Sequence, residues 1–253
     1  MNTGLEAQEK NLVWEFFNHA TSGFFVEVGA SDSVYMSQTW QLEQHGWSGI
    51  LVEPVAECCE ALRRERKRSV VVQAAAGAPD SGSEAVIHIP AAGPGLAFIR
   101  LDLVRPSWER VETVPVRPLD HIFAEHGHPK VDFISIDVEG MELEVLRGLD
   151  LTRNRPRLIL VEDHLASLAV LRHLRRNQYR LVKRTGANNW FVPVGTDFRL
   201  TSFWERLKLV RKIWLKHPFR LAGRFLHCCR RGGRARVGLL GFQRRPALAK
   251  LRV

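Results

Sequence analysis

The chain has 253 residues, 45% of them hydrophobic and 25% charged. That is a globular composition. It excludes a wholly disordered protein and supplies enough apolar surface for a core without disulfides or metals. The formal net charge of +10 is unevenly spread: residues 201–253 hold 15 Lys and Arg against one acid, Glu205, whereas residues 1–199 hold 22 basic and 26 acidic side chains.

Residues 5–20 place Leu12, Val13, Phe16 and Phe17 at helical spacing, which predicts a helix packed on the domain that follows. Gly23–Ala30 is a short apolar run ending at a glycine turn and reads as a buried strand. Ser37 to Gly46 predicts a helix, Ser48–Pro54 a second buried strand, Cys58 to Lys67 a charged helix and Val70–Ala74 a third strand. Glu84–Ile89 and Glu112–Arg117 predict an inserted antiparallel pair. Val131–Asp137 is a strong strand before a helix from Met141 to Leu149, on which Glu142 and Glu144 are expected to be exposed or to pair with Arg147. Leu158–Val161 is the next strand, Ser167 to Asn177 the next helix, and Tyr179–Arg184 and Trp190–Val194 close the series around a turn at Gly186–Asn189. Strands alternating with helices predict a mostly parallel sheet covered on both faces. The closing pair predicts one antiparallel strand. The expected organisation is a helix over 1–22, a domain over 23–196 and a basic extension over 197–253.

The cysteines form two adjacent pairs, Cys58-Cys59 and Cys228-Cys229. This spacing suits neither a zinc knuckle nor a disulfide framework and predicts reduced thiols in a cytoplasmic protein. The N-terminus lacks a signal-peptide pattern, and no run approaches the roughly 20 apolar residues of a membrane span.

In such sheets ligands bind beyond the carboxyl ends of the strands, at the switch point beside the first strand. There the chain reads Glu27-Val-Gly-Ala-Ser-Asp-Ser33, and Glu53 ends the second strand. Gly29 permits a tight turn and a close ligand. A carboxylate at Glu53 can accept hydrogen bonds from both hydroxyls of a ribose. The turn lacks the full Gly-x-Gly-x-x-Gly pattern, and its acids Glu27 and Asp32 would repel phosphate. They suit a cationic amine, which points away from a dinucleotide and toward S-adenosylmethionine.

Three stretches, Phe25-Val-Glu-Val-Gly-Ala-Ser-Asp-Ser33, Gly46-Trp-Ser-Gly-Ile-Leu-Val-Glu-Pro54 and Val131-Asp-Phe-Ile-Ser-Ile-Asp-Val-Glu-Gly-Met-Glu-Leu-Glu-Val-Leu-Arg-Gly148, resemble the FkbM family of S-adenosylmethionine-dependent O-methyltransferases. Pro118-Leu-Asp120 and Val161-Glu-Asp-His164 fall where that family has similar residues, and Ser33 stands where it usually has Gly. The resemblance, over about residues 20–194, implies an α/β fold: the class I (Rossmann-like) methyltransferase sheet of seven strands, with one antiparallel strand and an inserted β-hairpin. It also implies methyl transfer to a hydroxyl of a sugar, glycolipid or related natural product. The expected cofactor-binding residues are Glu27, Gly29, Ala30, Ser31, Asp32, Glu53, Pro54 and Asp137.

Methyl transfer needs the reacting atoms held in line and the hydroxyl proton removed. Asp137, Glu162 and His164, just after the fourth and fifth strands, are the candidate catalytic groups, with His164 the natural base. Glu139, Asp163, Asn188, Asn189 and Trp190 are expected to line the acceptor pocket. The bland alternatives are that Asp137 caps the following helix, that Glu139-Gly140 is only a turn, that His164 is a solvated loop residue, and that the asparagines serve a left-handed turn. A divalent metal held by the same acids is a further alternative, but no compact ligand motif is visible, and a metal-free base is preferred.

Thr201 to His217 spaces Phe203, Trp204, Leu207, Val210, Ile213 and Trp214 as one helix face, among basic residues. Such a helix reads as a peripheral contact with an anionic membrane, at its inner face for a cytoplasmic protein. The alternatives are packing on the domain or, less favoured, nucleic acid. A non-catalytic or RNA-directed module that keeps the fold is the rival to an enzyme.

Overall fold

The computed structural model describes residues 3–90, 108–163 and 168–211. His164, Cys228-Cys229 and the extension beyond Arg211 lie outside them. The elements are α1 (Thr3–Phe16), β1 (Phe24–Val28), α2 (Trp40–Gln44), β2 (Ser48–Glu53), α3 (Ala56–Glu65), β3 (Ser69–Gln73), β4 (Ala75–Ala76), β5 (Glu84–Pro90), β6 (Trp108–Arg117), α4 (Leu119–Glu125), β7 (Phe133–Ile136), α5 (Glu142–Arg147), β8 (Leu158–Glu162), α6 (Ala169–Arg176), β9 (Tyr179–Thr185), β10 (Asn188–Pro193) and α7 (Phe203–Val210).

Seven strands form one sheet in the order β3-β2-β1-β7-β8-β10-β9. All neighbours pair parallel except β10, which is antiparallel to both β8 and β9. This is the class I methyltransferase sheet that the resemblance implies. The inserted hairpin is β5 with β6, and it is joined to the domain by the short strand β4, which the sequence reading missed.

Alternation along the strands sorts the core into two layers. Val26, Ile50, Ile134, Ile159 and Phe191 face the side covered by α4, α5 and α6. Phe25, Leu51, Phe133, Leu160 and Trp190 face the side covered by Val13 and Phe17, from α1 and the turn after it. On α6, Val170, Leu171 and Leu174 are buried at helical spacing while Arg172, Arg175 and Arg176 point outward.

Glu142 and Glu144 are buried rather than exposed, and Glu144 makes the expected pair with Arg147. Glu142 accepts the Gly140 N–H at 2.7 Å, and Glu144 pairs with Arg147 at 2.8 Å, which also reaches Asp80. The closing turn is Gly186-Ala187. Gly186 carries the positive φ, and neither Asn188 nor Asn189 does, so the asparagines are not there for a left-handed backbone. Cys58 and Cys59 are free and buried, and burial pushes both thiols up to about 12, which makes them packing groups rather than nucleophiles.

Candidate active site

The chain leaves β1 toward β2 on one side and returns to β7 on the other, and a cavity opens at this switch point. It holds about 1070 Å³ counted with its open mouth, and Glu27, Gly29, Ala30, Ser31, Asp32, Glu53, Pro54, Asp137, Glu139 and Asn188 all line it. The sheet order alone brings these residues together from four strand ends.

Gly29 makes the turn. Its φ is +81°, and a Cβ there would stand 1.7 Å from the Asp137 carbonyl oxygen. The limit at this position is therefore the neighbouring backbone, whereas the sequence pointed to the ligand's path. Ser33, in place of the family's Gly, is not left-handed; Ser31 is, at φ 29°. The Asp32 carboxylate accepts the backbone N–H of Val34 and Tyr35 at 2.8 and 2.6 Å and holds the loop over the cavity.

Glu53 is 3% exposed. Its oxygens accept the Ser31 and Val55 N–H groups at 2.9 Å each, and burial pushes its carboxyl up to about 6. Glu27 is engaged from the other side. It accepts from Ser37 Oγ at 2.7 Å, Thr39 Oγ1 at 2.5 Å and the Gln38 N–H at 2.6 Å, with the Arg66 guanidinium 3.7 Å away. Arg66 is itself buried and pairs with Glu43 at 2.6 Å. Glu27 thus anchors the 37–39 loop while lining the cavity. Gln38 Oε1, at the cavity wall, is buried without a hydrogen-bond partner.

Across the cavity, Asp137 follows β7 and is hydrogen-bonded to Glu162, the last residue of β8. Asp137 opens onto the cavity but has protein around its other sides. That desolvation, then the Glu162 carboxyl and the charges of Glu139 and Glu142, push its carboxyl up to about 9. A hydrogen bond between two carboxyl groups needs a proton, and the raised value of Asp137 keeps that proton on it near neutral pH. Asp137 does not cap α5, whose N-cap is Met141 with no side-chain cap bond. Glu139 and Gly140 form the turn, both at positive φ.

Glu162 lies opposite Asn188 in the β8–β10 register. Asn188 donates at 2.6 Å to Glu9, a carboxylate of α1 that sequence reasoning left out of the site. Glu9 is 3% exposed and also accepts from Trp190 Nε1 at 3.1 Å, Thr185 Oγ1 and, at 3.4 Å, Gln38 Nε2. Burial pushes its carboxyl up against these bonds. The signal was present in the sequence: Glu9, Val13 and Phe17 are spaced i, i+4, i+8 along the buried stripe that α1 begins. Glu9→Ala is expected to lower stability by about 1–3 kcal/mol, because it strands buried donors. Calorimetric melting of the variant against wild type reads this directly, and an unchanged transition would contradict the network.

Two acceptor-side expectations are corrected. Asn189 and Trp190 are fully buried and do not line the cavity. Asn189 donates to the Asp163 carbonyl at 2.8 Å and accepts from Arg184 at 2.5 Å, and Arg184 also donates to the same carbonyl at 2.7 Å. The two clamp the backbone after β8, and neither Asp163 nor Glu162 lines the cavity, against expectation. His164 lies outside the described residues. Ala74, Ala75, Ala76 and Ile87 form an apolar wall that the sequence reading did not assign. Among the described residues no group of three or more His, Cys, Asp or Glu is arranged to hold a metal ion.

A model of the methyltransferase FkbM domain matches residues 27–181. No curated protein matches the chain. Among solved structures, the N-terminal domain of human METTL16 in complex with SAH aligns at 13% identity, over 74% of this chain and 68% of that one, with a TM-score of 0.39. Precorrin-6y C5,15-methyltransferase from Geobacter metallireducens GS-15 aligns at 12% identity over 72% and 85% of the two chains, with a TM-score of 0.42. TrmK of M. capricolum, in complex with S-adenosyl-homocysteine, aligns at 7% identity over 78% and 72%, with a TM-score of 0.43.

Proposed function

The chain belongs to the FkbM methyltransferase family, and we propose that it moves a methyl group from S-adenosylmethionine to a hydroxyl oxygen of a sugar, a glycolipid or a related natural product. The observation that carries the hydroxyl reading is Asp137, a carboxyl that opens onto the cavity and is hydrogen-bonded to Glu162 behind it. S-Adenosylmethionine supplies an electrophilic methyl on a positively charged sulfur.

The residues present fit that cofactor. Glu53, at the end of β2, accepts from the ribose hydroxyls with the lone pairs left beside its two backbone bonds. Gly29, Ala30, Ser31 and Pro54 keep the wall low, and Ala74, Ala75 and Ile87 offer an apolar face for a base. Glu27 and Asp32 line the cavity and favour a cation by their charge. On the acceptor side, Asn188 and Glu139 hold the hydroxyl in line. With the cofactor bound, its sulfur–methyl bond would break as the acceptor oxygen gained the methyl, and the hydroxyl proton would pass to the Asp137–Glu162 pair.

Glu53 sets a pH dependence. Its carboxyl is charged above about 6 and neutral below, and a neutral carboxyl accepts more weakly from the ribose. Affinity for S-adenosylhomocysteine is therefore expected to fall as pH drops from about 7 to about 5. Glu53→Ala should weaken binding by about 1–3 kcal/mol at neutral pH and flatten that slope. Titration calorimetry at several pH values measures both, and equal affinities for wild type and variant would remove Glu53 from the ribose site.

The acceptor class is tested with methyl-tritiated S-adenosylmethionine against methyl glycosides, oligosaccharides and transfer RNA. Label on the saccharides is the expected result. Label on RNA alone would contradict the reading, and no heat of binding for S-adenosylhomocysteine would favour a non-catalytic module.

A further inference from the structure

Helix α7 is anchored to the domain through Glu205 and Leu209. Ser202 and Glu205 cap its start reciprocally, with Ser202 N–H to Glu205 Oε2 at 2.8 Å and Glu205 N–H to Ser202 Oγ at 3.2 Å. Lys183 Nζ of β9 donates to Glu205 Oε1 at 2.9 Å and to the Leu200 carbonyl at 2.8 Å. Leu209 packs against the core. Phe203, Trp204 and Leu207 remain 71%, 67% and 50% exposed, within an arc of about 100° at helical spacing. Phe203 and Trp204 stack edge to face at 5.5 Å, a preset apolar ridge.

We propose that this ridge docks the protein on an anionic lipid surface. Charge complementarity selects the partner. Residues 201–253 carry 15 Lys and Arg, and their one acid, Glu205, is already paired with Lys183. By sequence the segment carries a net charge of +14, 15 basic residues less one acid. The apolar ridge selects lipid over nucleic acid: a phosphate backbone needs only the charge, whereas Phe, Trp and Leu on one helix face gain by entering the headgroup boundary. No helix among the described residues is long and apolar enough to cross a membrane, so attachment through α7 is reversible. This inference goes beyond the methyl-transfer reading and does not depend on it.

The full chain is sedimented with sucrose-loaded vesicles of phosphatidylcholine alone or with about 30% phosphatidylglycerol, at salt of about 0.1 M and about 0.5 M. Binding is expected with the anionic vesicles, to weaken at high salt, and to fall about tenfold or more in the Trp204→Ser/Leu207→Ser double variant. That variant should keep the wild-type melting temperature and S-adenosylhomocysteine affinity. Unchanged vesicle binding by the variant, binding indifferent to anionic lipid, or binding to single-stranded RNA without vesicle binding would overturn the proposal. So would a lowered melting temperature, which would mean that the protein's own chain covers the ridge.

Discussion

Replacing Asp137 by asparagine is expected to lower turnover by about 10²–10⁴-fold while raising thermal stability. The first effect follows from the pair. The amide cannot receive a proton, and it fixes a neutral group where the shared proton now moves between two carboxyl groups. The second follows from linkage. The folded-state value of Asp137 is raised from 3.8 to about 9, first by desolvation and then by Glu162. The stability tied to its proton is fully present below about 3.8 and is lost as pH rises through about 9. The asparagine side chain stays neutral throughout and still donates to Glu162. Its advantage should therefore grow as pH rises from about 3.8 to about 9. Water in the open cavity screens the effect, so the expected rise is only about 2–5 °C at about pH 8. Differential scanning calorimetry and single-turnover assays measure the two sides. Full activity would remove Asp137 from proton transfer, and a lowered melting temperature would contradict the shared proton. In the same assay His164→Ala decides whether His164 is a second base: a loss as large as that of Asp137→Asn would move the proton's destination to the histidine.

Gly29→Ala should damage structure and binding together. The new methyl would fall 1.7 Å from the Asp137 carbonyl oxygen, and both partners are main chain. Neither can yield cheaply, because Gly29 N–H donates to the Val52 carbonyl at 2.9 Å and Asp137 N–H to the Val28 carbonyl at 3.0 Å. The φ of +81° adds strain for any residue with a Cβ. Together these cost about 3–5 kcal/mol, or a melting temperature lower by about 6–15 °C. Parting β1 from β7 also moves Asp137 away from the β1 turn, so S-adenosylhomocysteine binding should be lost with it. A variant that melts and binds like wild type would show that the two strand ends are not in contact.

The sheet was legible in the sequence because its signals are local. Stretches such as Leu158-Ile-Leu-Val161 are continuous apolar runs, and alternating helices and strands point to parallel pairing. The strand-end residues Gly29, Glu53 and Asp137 were legible for the same reason. What failed depended on partners far away in the chain. Arg66 stands at the end of a charged helix and reads as solvated, yet the fold sets it between Glu27 and Glu43. Glu9 lies on the buried stripe of α1, but its partners Asn188 and Trp190 stand on β10, far along the chain. The start of β10 was read two residues late. With a period of two, Asn189 then belongs to the opposite face from Asn188, and Trp190 to the same face one step deeper in the core.

The most direct test is where the methyl group goes. Wild-type protein and Asp137→Asn are incubated with S-adenosylmethionine labelled with ¹³C in its methyl group and a saccharide acceptor, and the products are followed by carbon NMR. The expected result is a methyl-ether resonance that grows with wild type and is slowed by about 10²–10⁴-fold with the variant. A label that appears on nitrogen or carbon, or an ether formed equally fast by both proteins, would contradict transfer to a hydroxyl through the carboxyl pair.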